Sequence, residues 1–416
     1  MSRLSIRAYL AAAKRHLQKA IKEKNHASFV IGNESADLDS ITCALVYSYI
    51  LSEKLEAKKS GKFVIPVTNI PASELRLRPE LKALLKHADI KPQELITLDD
   101  LGEEPLPKDK TDWTLVDHNA LQGRLGELYS SRVVGAIDHH VDEGTVDKNA
   151  EPRVITKAGS CNSLMVNYIR DTWQKISDSA MTVGAAHPQN NETLVDDFAY
   201  TSTWDAQVAK LSLGSILIDT ANLKQEHKVT EHDKKAVRFL EAKINISKLG
   251  KDYDRDRFFA EINEAKNDLD DLTVEEILRK DYKQWTEGDL NLGISSSVKS
   301  IEYLADREKD FEAALKKYAK SRELQLFAIG PSYSESGNFK RELLLMAFND
   351  KAKEAAEKFV KLGKDELKLV DAKNSPLKDD KEVTFQQFWD QKNVDASRKR
   401  IAPLLREAMG ADKEKL

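Results

Sequence analysis

The chain has 416 residues, 41% of them hydrophobic and 32% charged, with 17 glycines and 11 prolines. This mixture excludes collagen-like, low-complexity and wholly disordered classes, no apolar run approaches the ~20 residues of a membrane-spanning helix, and the length implies about two domains. Lys and Arg total 65 against 69 Asp and Glu, so the net charge of −4 carries no basic surplus for a nucleic-acid coat, while two cysteines, Cys43 and Cys161, make no disulfide framework and suit a reducing compartment.

Residues 1–22 contain Arg3, Arg7, Lys14, Arg15, Lys19 and Lys22 and no acid. Such a segment reads either as a mitochondrial presequence or as a surface helix packing Ile6, Leu10, Ala13, Leu17 and Ile21, and the packed helix is preferred. Apolar runs then follow at Phe29–Gly32, Phe63–Thr68, Leu95–Leu98, Trp113–Asp117 and Val133–Asp138. Each reads as a strand, and Ser40–Leu55 and Glu74–His87 repeat apolar residues at helical spacing between them. The alternation predicts an α/β domain, a parallel sheet with helices on both faces, over residues 1–235. Charged helix formers over 236–275 read as a helical linker. Residues 276–416 read as a smaller C-terminal α+β domain with a mixed sheet, with strands at Leu290–Ser296, Gln325–Ile329 and Leu343–Phe348 and helices at Lys309–Lys320 and Lys351–Leu362.

Three of the predicted strands end in acids or histidines: Phe29–Gly32 runs into Asn33-Glu34-Ser35-Ala36-Asp37-Leu38-Asp39-Ser40, Trp113–Val116 into Asp117-His118-Asn119, and Val133–Ile137 into Asp138-His139-His140. The carboxyl ends of strands in an open parallel sheet line its ligand crevice, so these groups converge. Either Asp37 or Asp39 alone reads as a helix cap. Together with Asp117 and His139 they read as an oxygen-rich site with one imidazole, which suits two Mg²⁺ or Mn²⁺ ions better than structural zinc. Two such ions can hold a hydroxide nucleophile and clamp a phosphoryl group in line, with Asp117 as the central bridging carboxylate. Gly159-Ser160-Cys161-Asn162 reads as a helix start whose N–H groups could hold phosphate, and a plain helix cap explains it almost as well.

NESADLDS, LVDHN and AIDHH resemble the first three motifs of the DHH phosphoesterase superfamily, and Leu213–Ile218 with Asp219-Thr220 resembles the fourth. That fourth segment is a helix in relatives; read alone it could equally be a strand. Asp281-Tyr282-Lys283 and Ser397-Arg398-Lys399 resemble the C-terminal substrate-binding segments of manganese-dependent family II inorganic pyrophosphatases, and no Gly-Gly pair points to the nuclease branch. Family II pyrophosphatases begin their first motif with a metal-binding His; Asn33 in GNESADLDS instead resembles fungal and protozoan cytosolic exopolyphosphatases.

The resemblance implies Asp37 and Asp117 on one metal and Asp39, Asp117, His139 and Asp219 on the other, with Co²⁺ as a third candidate ion. Asp138 would orient a ligand. Asn33, His118, His140, Lys283, Arg398 and Lys399 would face substrate, with Asp117, His140 and Asn33 as the catalytic group, and Arg76 and Arg78 could guide a longer chain. His87, His187, His227 and His232 read as surface residues. The expected activity is release of orthophosphate from the ends of linear polyphosphate by a cytoplasmic monomer, with the mitochondrial matrix as the alternative compartment and no nucleic-acid or membrane partner. The alternatives are a pyrophosphatase and a non-catalytic prune-like adaptor.

Overall fold

The computed structural model describes residues 3–61, 63–185, 191–377 and 382–411; His187 lies outside them. The chain forms two compact units, residues 1–266 and 267–416.

The first unit opens with α1 (Ile6–Glu23), capped by Ser5 and closed by Lys24 in the left-handed conformation. Its apolar stripe buries Ile6, Tyr9, Leu10, Ala13, Leu17 and Ala20 in the core, as the packed-helix reading expects. The basic face pairs with acids that follow the second strand: Arg7 with Glu94 at 2.8 Å and Asp89 at 3.1 Å, and Lys14 with Asp100 at 2.8 Å. Arg3 is itself buried. It reaches Asp205 at 2.7 Å and donates to the Tyr49 hydroxyl at 3.0 Å. Asp205 also accepts from Trp173 Nε1 at 2.7 Å and Ser177 Oγ at 2.6 Å, and pairs with Lys243 at 3.2 Å.

Five parallel strands follow: β1 (Ala27–Ile31), β2 (Val64–Val67), β3 (Thr111–Val116), β4 (Val133–Asp138) and β5 (Arg153–Ile155), in the order β2-β1-β3-β4-β5. Phe29 sits opposite Ile65 on one side and Trp113 on the other, and the Phe29 and Trp113 rings stack at 4.4 Å. Around the sheet lie α2 (Leu38–Ser52), α3 (Leu55–Ser60), α4 (Pro79–Lys86), α5 (Gly123–Tyr129), α6 (Cys161–Ala185), α7 (Asn191–Asp219), α8 (Glu231–Ile246) and α9 (Arg255–Asn267).

Three sequence expectations change here. Leu95–Leu98 is no strand: Thr97 makes one bridge to Thr68, and a 3₁₀ turn starts at Leu98 because the Asp100 carboxylate accepts from the Thr97 N–H at 3.0 Å. Such local side-chain bonding competes with a sheet ladder. Glu74–His87 is broken at Arg78, since Pro79 disfavours a helical residue before it; a 3₁₀ turn over Ala72–Leu77 precedes α4. The stretch 236–275 is largely not a linker. α8 buries Ala236, Val237, Leu240 and Ile244, and α9 buries Phe258 and Ile262, in the first unit's core. Leu213–Asp219 is the end of α7, which resolves the strand-or-helix alternative in favour of helix.

The second unit carries α10 (Val274–Lys280), β6 (Tyr282–Glu287), β7 (Leu290–Ser297), α11 (Ile301–Asp306), α12 (Phe311–Ser321), β8 (Leu326–Glu335), β9 (Asn338–Ala347), α13 (Asp350–Leu367), β10 (Leu369–Asp371), β11 (Phe385–Gln391) and α14 (Arg398–Met409). Its sheet runs β10-β11-β9-β8-β7-β6 and is mixed, with β7 and β8 parallel and the other pairs antiparallel. β8 and β9 form a hairpin through Ser336-Gly337, both at positive φ, which a two-residue turn requires. Leu343, Leu345 and Ala347 alternate along β9 and enter one core with Phe359 of α13 and Ile401 and Leu405 of α14.

Arg3→Ala strands the Asp205 charge in the core with Lys243 as its remaining cation. A loss of about 3–5 kcal/mol is expected in urea unfolding, typical of breaking a buried pair. An unchanged midpoint would show that the network contributes nothing.

Candidate active site

β1 and β3 are neighbours on which the chain order reverses, so their carboxyl ends flank the switch point where ligands bind in such sheets. The loop after β1, the residue after β3 and the end of β4 therefore lie side by side. Gly32 makes this possible, because a Cβ there would stand 2.5 Å from the Ser40 Cβ at the start of α2. Arg78 fixes the same loop from below. Its buried guanidinium donates to the carbonyls of Ala36 at 2.6 Å, Glu74 at 3.2 Å and Ser35, so it clamps backbone.

Asp117 follows β3 with φ 60°, its N–H bonded to the Ile137 carbonyl at 3.0 Å. One carboxylate oxygen accepts from Asn33 Nδ2 at 2.8 Å and Ser40 Oγ at 2.7 Å. The other lies 3.2 Å from His139 Nε2 and 3.7 Å from His140 Nδ1. Burial, then the charges of Asp37 and Asp39, push the Asp117 carboxyl up to about 7. Asn33 also donates to the Asp117 carbonyl at 3.1 Å and accepts from Ser35 N at 2.9 Å. Its amide is thus engaged in holding Asp117.

His139 Nδ1 bonds to the Ala158 carbonyl at 3.1 Å, so in the neutral ring Nδ1 carries the proton and Nε2 turns its lone pair toward Asp117 and, at 4.0 Å, Asp39. That second bond is what commonly fixes the tautomer of a metal-binding histidine. Asp117, His139 and His140 each offer one ligand atom, all within 4.8 Å of one another. Asp219 ends α7, and its Oδ2 is buried without a hydrogen-bond partner. Burial, then Asp39 and Asp37, raise its carboxyl well above the ordinary range. An orphaned carboxylate oxygen and an imidazole lone pair facing a carboxylate are donor chemistry that fits a divalent cation.

Asp39 is supported differently. It accepts from Ser160 Oγ at 2.7 Å, Cys161 N at 2.7 Å, Asn162 N at 3.0 Å, Asn162 Nδ2 at 2.7 Å and Ser215 Oγ at 3.1 Å. Burial works to raise its pKa, but His139 and the Ser160 and Asn162 hydrogen bonds outweigh it and hold the carboxyl below its usual range. The start of α6 therefore holds Asp39, and Asp233 takes the Gly159 and Ser160 N–H groups at 3.0 and 3.3 Å, as a cap does. Asp37 caps α2 through Ser40 N at 3.0 Å.

Asp138 accepts from His140 Nδ1 at 2.7 Å and N at 3.1 Å, and from Asn119 Nδ2 at 2.6 Å. Burial opposes its ionisation, but these bonds and the His140 charge hold it well below the usual range. It orients His140, whereas His139 is oriented by backbone. His118 bonds to the Val116 carbonyl at 3.0 Å. His87 packs edge-on against Phe258 and meets Glu261 at 3.1 Å, so it is no plain surface residue. In the second unit Arg398 holds Asp281 through Oδ1 at 2.7 Å and the carbonyl at 3.1 Å, which joins the 281–283 and 397–399 segments; Lys283 lies on β6 and Lys399 is exposed on the first turn of α14. Ser40, Asn119 and Arg78 escaped sequence reading as supporting groups, and the Asn that closes LVDHN was the one signal for any of them.

The model of the DHH family, N-terminal domain, matches residues 28–188, and the DHHA2 domain model matches residues 260–408. A Schizosaccharomyces pombe protein named "Putative exopolyphosphatase" is 35% identical over 382 residues, 92% of this chain and 91% of that one. Human "Exopolyphosphatase PRUNE1" is 28% identical over 293 residues, 69% of this chain but 56% of its own length. A Methanothrix thermoacetophila "Manganese-dependent inorganic pyrophosphatase" is 22% identical over 302 residues, 72% of this chain and 79% of that one. The crystal structure of a Methanococcus jannaschii "putative family II inorganic pyrophosphatase" shares the fold with a TM-score of 0.55 at 20% identity, over 92% of this chain and 100% of that one.

Asp39→Asn turns an amide N–H₂ toward donors, so a loss of about 2–4 kcal/mol is expected in urea unfolding under excess chelator. Asp37→Asn should cost less than about 1 kcal/mol, because Asn caps as well as Asp. Equal losses would contradict the division of roles.

Proposed function

From the premise that the chain belongs to the DHH family, with a DHHA2 domain in its C-terminal half, we propose that it is a metal-dependent exopolyphosphatase that hydrolyses the terminal phosphoanhydride of linear polyphosphate and releases orthophosphate. The observation that carries the reading is the Asp117–His139–His140 cluster at the carboxyl ends of β3 and β4. In this reading Asp37 and Asp117 hold one divalent ion, Mg²⁺ or Mn²⁺ with Co²⁺ as a substitute, and Asp39, Asp117, His139 and Asp219 hold another. Bound, such ions supply positive charge to the phosphoryl oxygens and lower the pKa of an attacking water.

The chain's own residues do the rest. Asn33 and Ser40 hold one oxygen of Asp117, so its other oxygen is presented toward His139. His140, its Nδ1 donating to Asp138, carries the Nε2 lone pair in its neutral form and a second N–H when protonated, so it is suited to give a proton to the departing phosphate. Lys283, Arg398 and Lys399 bind the phosphates through point charge and through the planar guanidinium fork. His118 is the weaker substrate contact. The partner is polyphosphate, the working form is a monomer, and the compartment is the cytoplasm.

A pyrophosphatase is the second reading, favoured by the Methanothrix relative. Asn33 weighs against it, because its amide is taken up by Asp117 and Ser35 where family II pyrophosphatases resemble one another in a metal-binding imidazole.

With Mg²⁺ or Mn²⁺, orthophosphate release from long-chain polyphosphate should exceed release from pyrophosphate. Asp117→Ala should lower it by roughly three orders of magnitude, the loss of several kcal/mol of charge stabilisation. Pyrophosphate as the best substrate would overturn the assignment, and Lys283→Ala should raise KM more than it lowers kcat.

Metal uptake should also release protons near neutral pH. Asp117 stands near 7 in the metal-free protein and must be ionised to bind, so the apparent metal affinity weakens as pH falls through about 7. Calorimetric titrations at pH 6.5 and 8 in buffers of different ionisation enthalpy measure this directly; equal proton release at both would contradict it.

A further inference from the structure

Deepening the phosphoanhydride reading and resting on it, we propose that Asn119 is a positioning residue that acts on the reaction through Asp138 and His140. Asn119 is 0% exposed, and its amide is spent across the gap between the ends of β3 and β4. Nδ2 donates to Asp138 Oδ2 at 2.6 Å and to the Val141 carbonyl at 2.9 Å. Oδ1 accepts from Glu143 N at 2.7 Å, and the Asn119 carbonyl accepts from Thr145 Oγ1 at 2.6 Å.

These bonds bracket His140 from both sides. Asp138 precedes it and accepts from its Nδ1–H at 2.7 Å, while Val141 and Glu143 belong to the loop that follows it. The two oxygens of Asp138 are divided between His140 on one and Asn119 on the other. Removing the Asn119 donor leaves Oδ2 of a buried carboxylate without that partner. Asp138 then rotates to share His140 between both oxygens, and that rotation turns the imidazole. The same loss releases the 141–145 loop. No other side chain does this work at the same length: Asp has no N–H to give, Ser is too short to reach both strands, and Gln adds a methylene to a packed site.

The role differs from plain support of the fold because it runs through one imidazole. A double-mutant cycle separates the two. In the full-length chain with saturating Mg²⁺, Asn119→Ala should lower kcat on polyphosphate by about 10- to 100-fold, as loss of a supporting partner commonly does, with KM shifted less than about 3-fold. His140→Gln should cause a larger loss, and the N119A/H140Q double variant should match His140→Gln alone within about 3-fold. In ¹⁵N-histidine spectra of the wild type, the Nδ1–H proton that disappears in His140→Gln should stand far downfield, and it should shift upfield or broaden away in Asn119→Ala.

Additive losses in the double variant, or an unmoved Nδ1–H signal in Asn119→Ala, would overturn the proposal. If Asn119→Ala fails to fold, Asn119→Ser, which keeps one short donor, carries the same readouts. If the wild type turns over no polyphosphate, the functional reading has failed, and the imidazole signal still decides whether Asn119 positions His140.

Discussion

Carboxylates at the carboxyl ends of β1, β3 and β4 repel one another, and the first unit is organised by where that repulsion is absorbed and where it is left standing. Asp39 is surrounded by donors from the first turn of α6 and by Ser215, so it stays ionised in a buried position. Asp138 is likewise ionised, between His140 and Asn119. Asp117 and Asp219 stand in the field of those fixed charges with fewer donors, and their carboxyls are pushed upward. The result is a set of acids of which some are held ionised by protein donors and others are driven toward the protonated form. Metal affinity in such a site comes as much from the donors that keep Asp39 charged as from the ligand atoms themselves.

The supporting groups share one design. Asn33, Ser40, Asn119 and Arg78 are buried polar side chains whose bonds run to backbone or to a carboxylate of the site. Each links two elements that are distant in sequence: Ser40 of α2 to Asp117 after β3, Asn119 after β3 to Asp138 at the end of β4, and Arg78 before α4 to the loop after β1. A buried polar group is costly unless bonded, so each such residue also specifies the register in which the strand ends can meet. Precision at the site and cohesion of the sheet are therefore the same set of contacts.

The N-terminal segment shows the same economy in a place remote from the chemistry. Its basic composition resembles a targeting peptide, yet Arg3 closes a buried network on Asp205 with Lys243, and the apolar stripe of α1 completes the core beneath it. Composition reports which side chains are present; it does not report that Asp205, some two hundred residues later, faces one of them.

Much of this was readable from the chain alone, because strand periodicity, the acids and histidines that end three strands, and the turn residues between them are local properties. The parallel order of the first sheet, the mixed second sheet and the clustering of Asp117 with His139 follow from those signals. The misreadings have a common cause. Leu95–Leu98 was overridden by the Asp100 carboxylate bonding back to the Thr97 N–H, and the 236–275 stretch by apolar faces that found the first core. Asn33 was visible as a departure from the family pattern, but that its amide is engaged in holding Asp117 could not be seen. Sequence by itself determined which residues carry charge, donors and turns, since these are properties of single side chains and their neighbours. Only the tertiary structure decided which donor answers which carboxylate, because hydrogen bonds of about 3 Å between residues a hundred positions apart are set by the packing of whole elements.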